Sequence, residues 1–284
     1  MRAALVQLTA GDEPQANLGP VRDAVRQSVA GGAGFVLTPE VTNCVSSSRS
    51  HQHRVLSHEG DDPMLALLRD EAARAGVWLL AGSLVLKTHD ADGRFANRSF
   101  LIAPSGDIAA RYDKIHMFDV QVSEAETYRE SAAIRPGDRA VVAQTPFANL
   151  GMSVCYDIRF PHLYRALAQA GAQVLCVPAA FSPVTGAAHW EMLLRARAIE
   201  TGCYVLAPAQ TGNHPNAQGK PRATWGHSMA VSPWGEVLMD AGTDPGVSFV
   251  DLDMAEVTRA RVRVPSLSHD RPFAAPTPDD GGAG

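Results

Sequence analysis

Residues 151–175 read GMSVCYDIRFPHLYRALAQAGAQVL. The apolar run at 150–154 predicts a strand. Residues 161–170 predict a helix that opens on Pro161 in its first turn and stops at Gly171. A second short strand follows at 174–177. Cys155 therefore sits just past a strand's carboxyl end, where open α/β sheets gather their ligands.

The same grammar extends in both directions. Downstream, residues 187–201 predict a helix ending before Gly202, and 204–207 a strand. Residues 228–232 and 236–239 form a hairpin turning at Pro233-Trp234-Gly235, and 247–252 a last strand. Upstream, strands are predicted at 2–8, 35–37, 77–86 and 140–144, and helices at 15–30 and 63–75. Residues 98–103 and 108–112 pair around Pro104-Ser105-Gly106-Asp107. Gly31-Gly32-Ala33-Gly34 is a helix stop, without the order of a phosphate loop. The pattern predicts one α/β domain over 1–272, with a mobile tail over 273–284. The two halves repeat in element order but not in sequence.

Of the 284 residues, 45% are hydrophobic, enough for a large core. The net charge is -5 and no Lys/Arg run is present, which argues against nucleic acid. No apolar run approaches the roughly 18 residues of a membrane helix. The first eight residues are too short for a secretory signal, so the cytoplasm is the expected compartment. Cys44, Cys155, Cys176 and Cys203 are widely spaced, and a disulfide framework is not expected.

Two more strand ends carry reactive groups. FVLTPEV at 35–41 presents Glu40, and RYDKIHMFDV at 111–120 presents Lys114. A lysine near a thiol favours the thiolate, and a carboxylate can take the thiol proton and later activate water. The lysine and the backbone N–H of Tyr156 can stabilise an oxyanion. Each residue also has a plain structural reading: a core thiol, a solvated lysine, a surface glutamate. Spacing alone leaves both open.

These segments resemble the Glu-Lys-Cys signature of the nitrilase, or carbon–nitrogen hydrolase, superfamily, and the resemblance reaches to about Pro272. It implies a nitrilase-like α-β-β-α sandwich that pairs into a homodimer or a higher assembly. It also implies Glu40 as base, Lys114 as support for the tetrahedral intermediate and Cys155 as nucleophile. No cofactor is implied. Glu130 falls where the family often has a second glutamate that positions substrate. Its neighbours Glu124 and Glu126 read as solvated loop charges.

Residues 188–212, AHWEMLLRARAIETGCYVLAPAQTG, and 225–238, WGHSMAVSPWGEVL, are similar to the Nit-type amidases, in particular the deaminated-glutathione amidase branch. KIHMFDV is shared with the ω-amidases, and SPVTGAA at 182–188 departs from the Nit pattern. The implied substrate is a small carboxylate-bearing amide, cleaved through a thioester with release of ammonia. Deaminated glutathione ranks first, α-ketoglutaramate second and an N-carbamoyl amino acid third; an inactive ligand-binding protein on the same fold is the non-enzyme alternative. Arg159 either binds the substrate carboxylate, as in related carbamoyl-amino-acid hydrolases, or pairs with Asp157 or another acid nearby. His116 either bonds within the site or supports it from behind. The helix at 187–201 is a candidate interface, with Arg195 and Arg197 at that interface or near the pocket. His51-Gln52-His53 with His58 reads as an exposed loop, with metal binding as the weaker alternative.

Overall fold

The computed structural model of the chain describes residues 1–122 and 127–274. Two six-stranded sheets form its centre. In space the first runs Gly246–Asp251, Arg2–Gln7, Phe35–Leu37, Trp78–Lys87, Phe95–Ile102, Ile108–Asp113. The second runs Val237–Asp240, Met229–Val231, Tyr204–Ala207, Val174–Cys176, Asn149–Met152, Val141–Gln144. Each has three parallel strands in the middle and antiparallel strands at its flanks. The repeat of order along the chain is thus one sheet per half, except that the last strand, Gly246–Asp251, returns to the edge of the first sheet.

Period-two alternation decides the layers. Ala3, Leu5, Phe35, Leu37, Leu80 and Leu101 face the second sheet and join a core with Leu150, Met152, Val174 and Val205. Their neighbours Ala4, Val6, Val36, Leu79, Ala81 and Phe100 face outward, under helices α1 (Pro14–Ala30) and α3 (Pro63–Ala75). Helices α4 (Pro161–Gln169) and α5 (Pro183–Thr201) bring Leu163, Tyr164, Leu167, Trp190 and Leu194 into the core on the second-sheet side. The result is the expected α-β-β-α sandwich.

Several elements depart from the sequence reading, among them the paired strands Asp119–Gln121 and Thr127–Arg129. The expected exposed loop around His51 contains helix α2 (Arg49–Val55), N-capped by Ser48, with His51 and Gln52 buried. A short polar helix has little apolar periodicity to reveal it. The hairpin Thr211–His214 with Arg222–Trp225 and helix α6 (Ala255–Arg263) also lie in stretches where polar residues hide the period. The expected tail falls mostly at 275–284, and Glu124 and Glu126 at 123–126, outside the described residues.

Candidate active site

Glu40, Lys114 and Cys155 meet at one end of the two sheets. Glu40 follows the strand Phe35–Leu37, and its loop is fixed by a bulge in the neighbouring strand, where the register shifts between Ala81 and Leu84. There Gly82 donates to Thr38 Oγ1, and the Val41 amide donates to Ser83 Oγ at 2.9 Å. Only glycine fits at 82, because a Cβ would lie 1.8 Å from the Thr38 carbonyl oxygen. Lys114 follows Ile108–Asp113 and is pinned by Gly137, whose amide donates to the Lys114 carbonyl at 2.7 Å. Cys155 opens a short 3-10 turn, Cys155–Arg159, with φ of 50°. A non-glycine residue in that left-handed region stores strain, a feature concentrated at functional sites.

Polar contacts knit the three together. The Lys114 ammonium donates to Glu40 Oε1 at 2.9 Å and to both Glu130 oxygens at 2.8 Å. Glu40 also accepts from Asn97 Nδ2 through Oε1 at 2.9 Å and from the Ala180 amide through Oε2 at 2.8 Å. The Cys155 thiol stands near enough to the Glu40 carboxylate for the two to influence each other's ionisation. Glu130 accepts from the Phe118 amide at 2.6 Å, which holds it over Lys114.

Electrostatics fix the protonation states. Burial pushes the Glu40 carboxyl up, but Lys114 and Arg222 outweigh it and hold it below the usual range. Burial works against the Lys114 ammonium, yet Glu130 and Glu40 raise it well above its ordinary value. The Cys155 thiol is pushed well up, by burial first and then by Glu40. This corrects the expectation of a lysine-stabilised thiolate: Glu40 stands closer in effect than Lys114, so the resting pair is a neutral thiol beside a carboxylate. Cys44 and Cys176 are pushed up to about 12 mainly by burial. All four cysteines are free thiols. Cys155 keeps 8% of its surface exposed, against 1% or less for the others.

The thiol opens on a cavity of about 580 Å³, which Glu40, Lys114, Glu130 and Tyr156 also line. Glu130 thus joins the site and does not form a surface salt bridge. Arg159 and His116 stand outside this lining. The Arg159 guanidinium contacts His189 Nδ1 at 3.3 Å and lies over the rings of Tyr156 and Phe181, which are themselves pocket walls. It does not pair with Asp157, because that carboxylate is taken by Tyr112 Oη, the Val154 amide and His116. His116 bonds Asp157 at 2.7 Å and stacks on Phe160, so it braces the turn that carries Cys155. Arg197 is buried and donates to the Ile158 carbonyl of the same turn, while Arg195 holds the Gly235 carbonyl. His51 comes near Asp12 and Glu13, but His53 packs on Phe95 and His58 on His89, so the three histidines do not converge.

Sequence reading missed Asn97 and Arg222. Asn97 had a usable signal: it is a polar residue at an inward position of the apolar strand Phe95–Ile102. Arg222 had none, since it reaches the site from a hairpin distant in sequence.

Comparison with known proteins identifies the family of the chain. A family model described as carbon-nitrogen hydrolase matches residues 2–262. The deaminated glutathione amidase of Yersinia enterocolitica is 40% identical over 94% of this chain and 92% of its own length. The Homo sapiens protein of the same name is 36% identical over 95% of this chain and 82% of its own. Among solved structures, the NitFhit protein of C. elegans superposes with a TM-score of 0.86 at 32% identity and over 95% of this chain, which spans 65% of that longer protein. An amidase from Nesterenkonia sp. AN1, solved with acrylamide added at its active-site cysteine, gives 0.75 at 30% identity, over 93% of this chain and 97% of its own.

Proposed function

This chain belongs to the carbon–nitrogen hydrolase family, and from that premise we propose that Cys155, Glu40 and Lys114 cleave a small carboxylate-bearing amide. The observation that carries the reading is the buried Glu40 carboxylate, which bonds the Lys114 ammonium and lines one cavity with it and the Cys155 thiol. Family and relatives make the chain a hydrolase of carbon–nitrogen bonds other than peptide bonds.

In the proposed cycle Glu40 takes the thiol proton as sulfur bonds to the amide carbon. The carbonyl electron pair moves to oxygen, where Lys114 and the Tyr156 N–H offset the new charge. Glu40 returns the proton to the departing nitrogen, leaving a thioester on Cys155. Glu40 then deprotonates water, which attacks the thioester; the acid leaves and the thiol recovers its proton. Glu130 holds the ammonium in place and borders the substrate.

Deaminated glutathione is the first substrate, on the strength of the relatives that bear that name. Its scissile nitrogen carries cysteinylglycine. The leaving group is therefore a dipeptide amine, which corrects the expectation of ammonia; ammonia belongs to α-ketoglutaramate. An N-carbamoyl amino acid stays last, because Arg159 stands behind the pocket wall. The test is α-ketoglutarate release from deaminated glutathione and α-ketoglutaramate, with Cys155→Ala as blank. We expect the higher kcat/KM for the first. The reverse order overturns the substrate, and native-like turnover by Cys155→Ala overturns the mechanism.

We further propose a homodimer or a larger assembly of dimers. Met192 and Ile199 on α5 and Trp234 and Leu238 on the hairpin are exposed apolar residues, and Ile199 lies against Gly235 of that hairpin. A monomer by light scattering at micromolar concentration would contradict it. Four free thiols suit a reducing cytoplasm, and among the described residues no helix is long and apolar enough to cross a membrane.

A further inference from the structure

The pocket's charge runs against that of the molecule. The whole chain carries -5, yet five cationic side chains line this cavity against two carboxylates, Glu40 and Glu130. Both carboxylates are engaged by Lys114 at the floor. The remaining cations include Arg49, Lys220 and Arg222, which come from two separate segments and close on the same opening.

None of these three forms an ion pair within the described residues. Among the described residues no carboxylate oxygen lies within 4.0 Å of their side-chain nitrogens. Arg49 donates only to the carbonyls of Ala132, Asp92 and Gly93, and Arg222 to the carbonyl of Ala180 at 3.2 Å. The segments are held in register: Ser47 Oγ donates to the Lys220 carbonyl at 2.9 Å, and Arg54 to Gln218 at 2.7 Å. Arg222 is half-buried while Arg49 and Lys220 are exposed, so positive charge runs from the inner wall out to the mouth. An excess of like charge around a concave opening raises the local concentration of anions and favours a bound one.

We propose that Arg49, Lys220 and Arg222 form a carboxylate subsite for the end of the substrate that departs with the nitrogen. The acyl group is held on Cys155 at the floor after the first step. The amine must leave past the mouth, so its far end lies there in the bound substrate. The substrate class is an amide whose amine portion ends in a carboxylate, such as a dipeptide acid. This inference rests on the hydrolase reading above.

The experiment measures binding, so it needs no turnover. Glutarylalanylglycine and its C-terminal carboxamide are titrated by calorimetry into the Cys155→Ala protein. We expect the acid to bind at least about tenfold tighter, the scale of one charge-assisted hydrogen bond. Lys220→Gln, an exposed change, and Arg49→Gln in the same background each reduce that ratio, and the pair brings it close to one. Raising the salt reduces it too, since exposed charges are screened. Equal binding of acid and carboxamide, binding of neither, or a ratio the variants leave untouched overturns the subsite. Absence of wild-type turnover with the ratio intact would instead count against the hydrolase reading alone.

Discussion

The floor and the mouth of the pocket treat charge in opposite ways. At the floor every charge has a partner: one ammonium is shared by two carboxylates, and Lys114 and Glu40 are almost wholly buried. At the mouth Arg49 and Lys220 are exposed, with no carboxylate oxygen within 4.0 Å of their side-chain nitrogens. A buried charge without a partner is expensive, so the floor has to be complete before substrate arrives. An exposed cation carries little cost unpaired and can wait for a ligand's carboxylate. On the proposed reading the floor serves chemistry and the mouth recognition, and variants at the two should fail differently.

The largest expected effect is at the floor. Lys114→Ala leaves Glu40 and Glu130 facing each other in a buried space with no cation between them. Breaking a buried pair from one side costs about 3–5 kcal/mol, and loss of the oxyanion support lowers kcat on the order of a thousandfold. Thermal unfolding and steady-state kinetics on the purified variant check both. A variant with native stability would mean that the floor does not depend on matched charge.

Gly82→Ala acts on the same floor from behind. Its Cβ would lie 1.8 Å from the Thr38 carbonyl oxygen and 2.6 Å from Pro178 Cβ. The strand or the Glu40 loop must move. Overpacking of this kind costs about 1–3 kcal/mol or more, and displacing the base by an ångström can cost about a hundredfold in rate. We expect a lower Tm and a lower kcat, with the acid-to-carboxamide binding ratio of the mouth retained. Equal losses at floor and mouth would show that the two are one rigid unit.

Legibility in the sequence follows the same division. Strand periods and helix stops place most elements, because buried faces must alternate. Glu40, Lys114 and Cys155 are legible as polar residues just past apolar strands, and the resemblance assigns their roles. Glu130 is legible only through the resemblance. The bulge at Gly82 is hidden, since a glycine in an apolar strand has many readings. Arg49, Lys220 and Arg222 look like ordinary surface cations; only folding brings two distant segments to one opening. The thiol's state was misread for a related reason. Lysine proximity suggests a thiolate, but burial and the nearer carboxylate dominate, and neither can be weighed from a string of letters.

The smallest expected effect is with pH. The folded Glu40 carboxyl lies below its ordinary value of 4.5, so its contribution to stability is present above 4.5 and is lost as pH falls through the folded value. Lys114 is raised above its ordinary 10.5, so its contribution is full below 10.5 and is lost only as pH rises through the higher folded value. The pair therefore stays ionised across the whole interval between. The base that accepts the thiol proton is already charged at mildly acid pH, and kcat/KM should change by less than about twofold between about pH 5 and 7. The acid limb should fall below 4.5 in the wild type. In Lys114→Ala, where the strongest opposing influence on Glu40 is gone, the limb of the residual activity should move upward. A wild-type limb at 6 or above, measured with substrate well below KM, would mean that Glu40 is not held low by its neighbours. The matched floor would then be no better protected from protons than the open mouth.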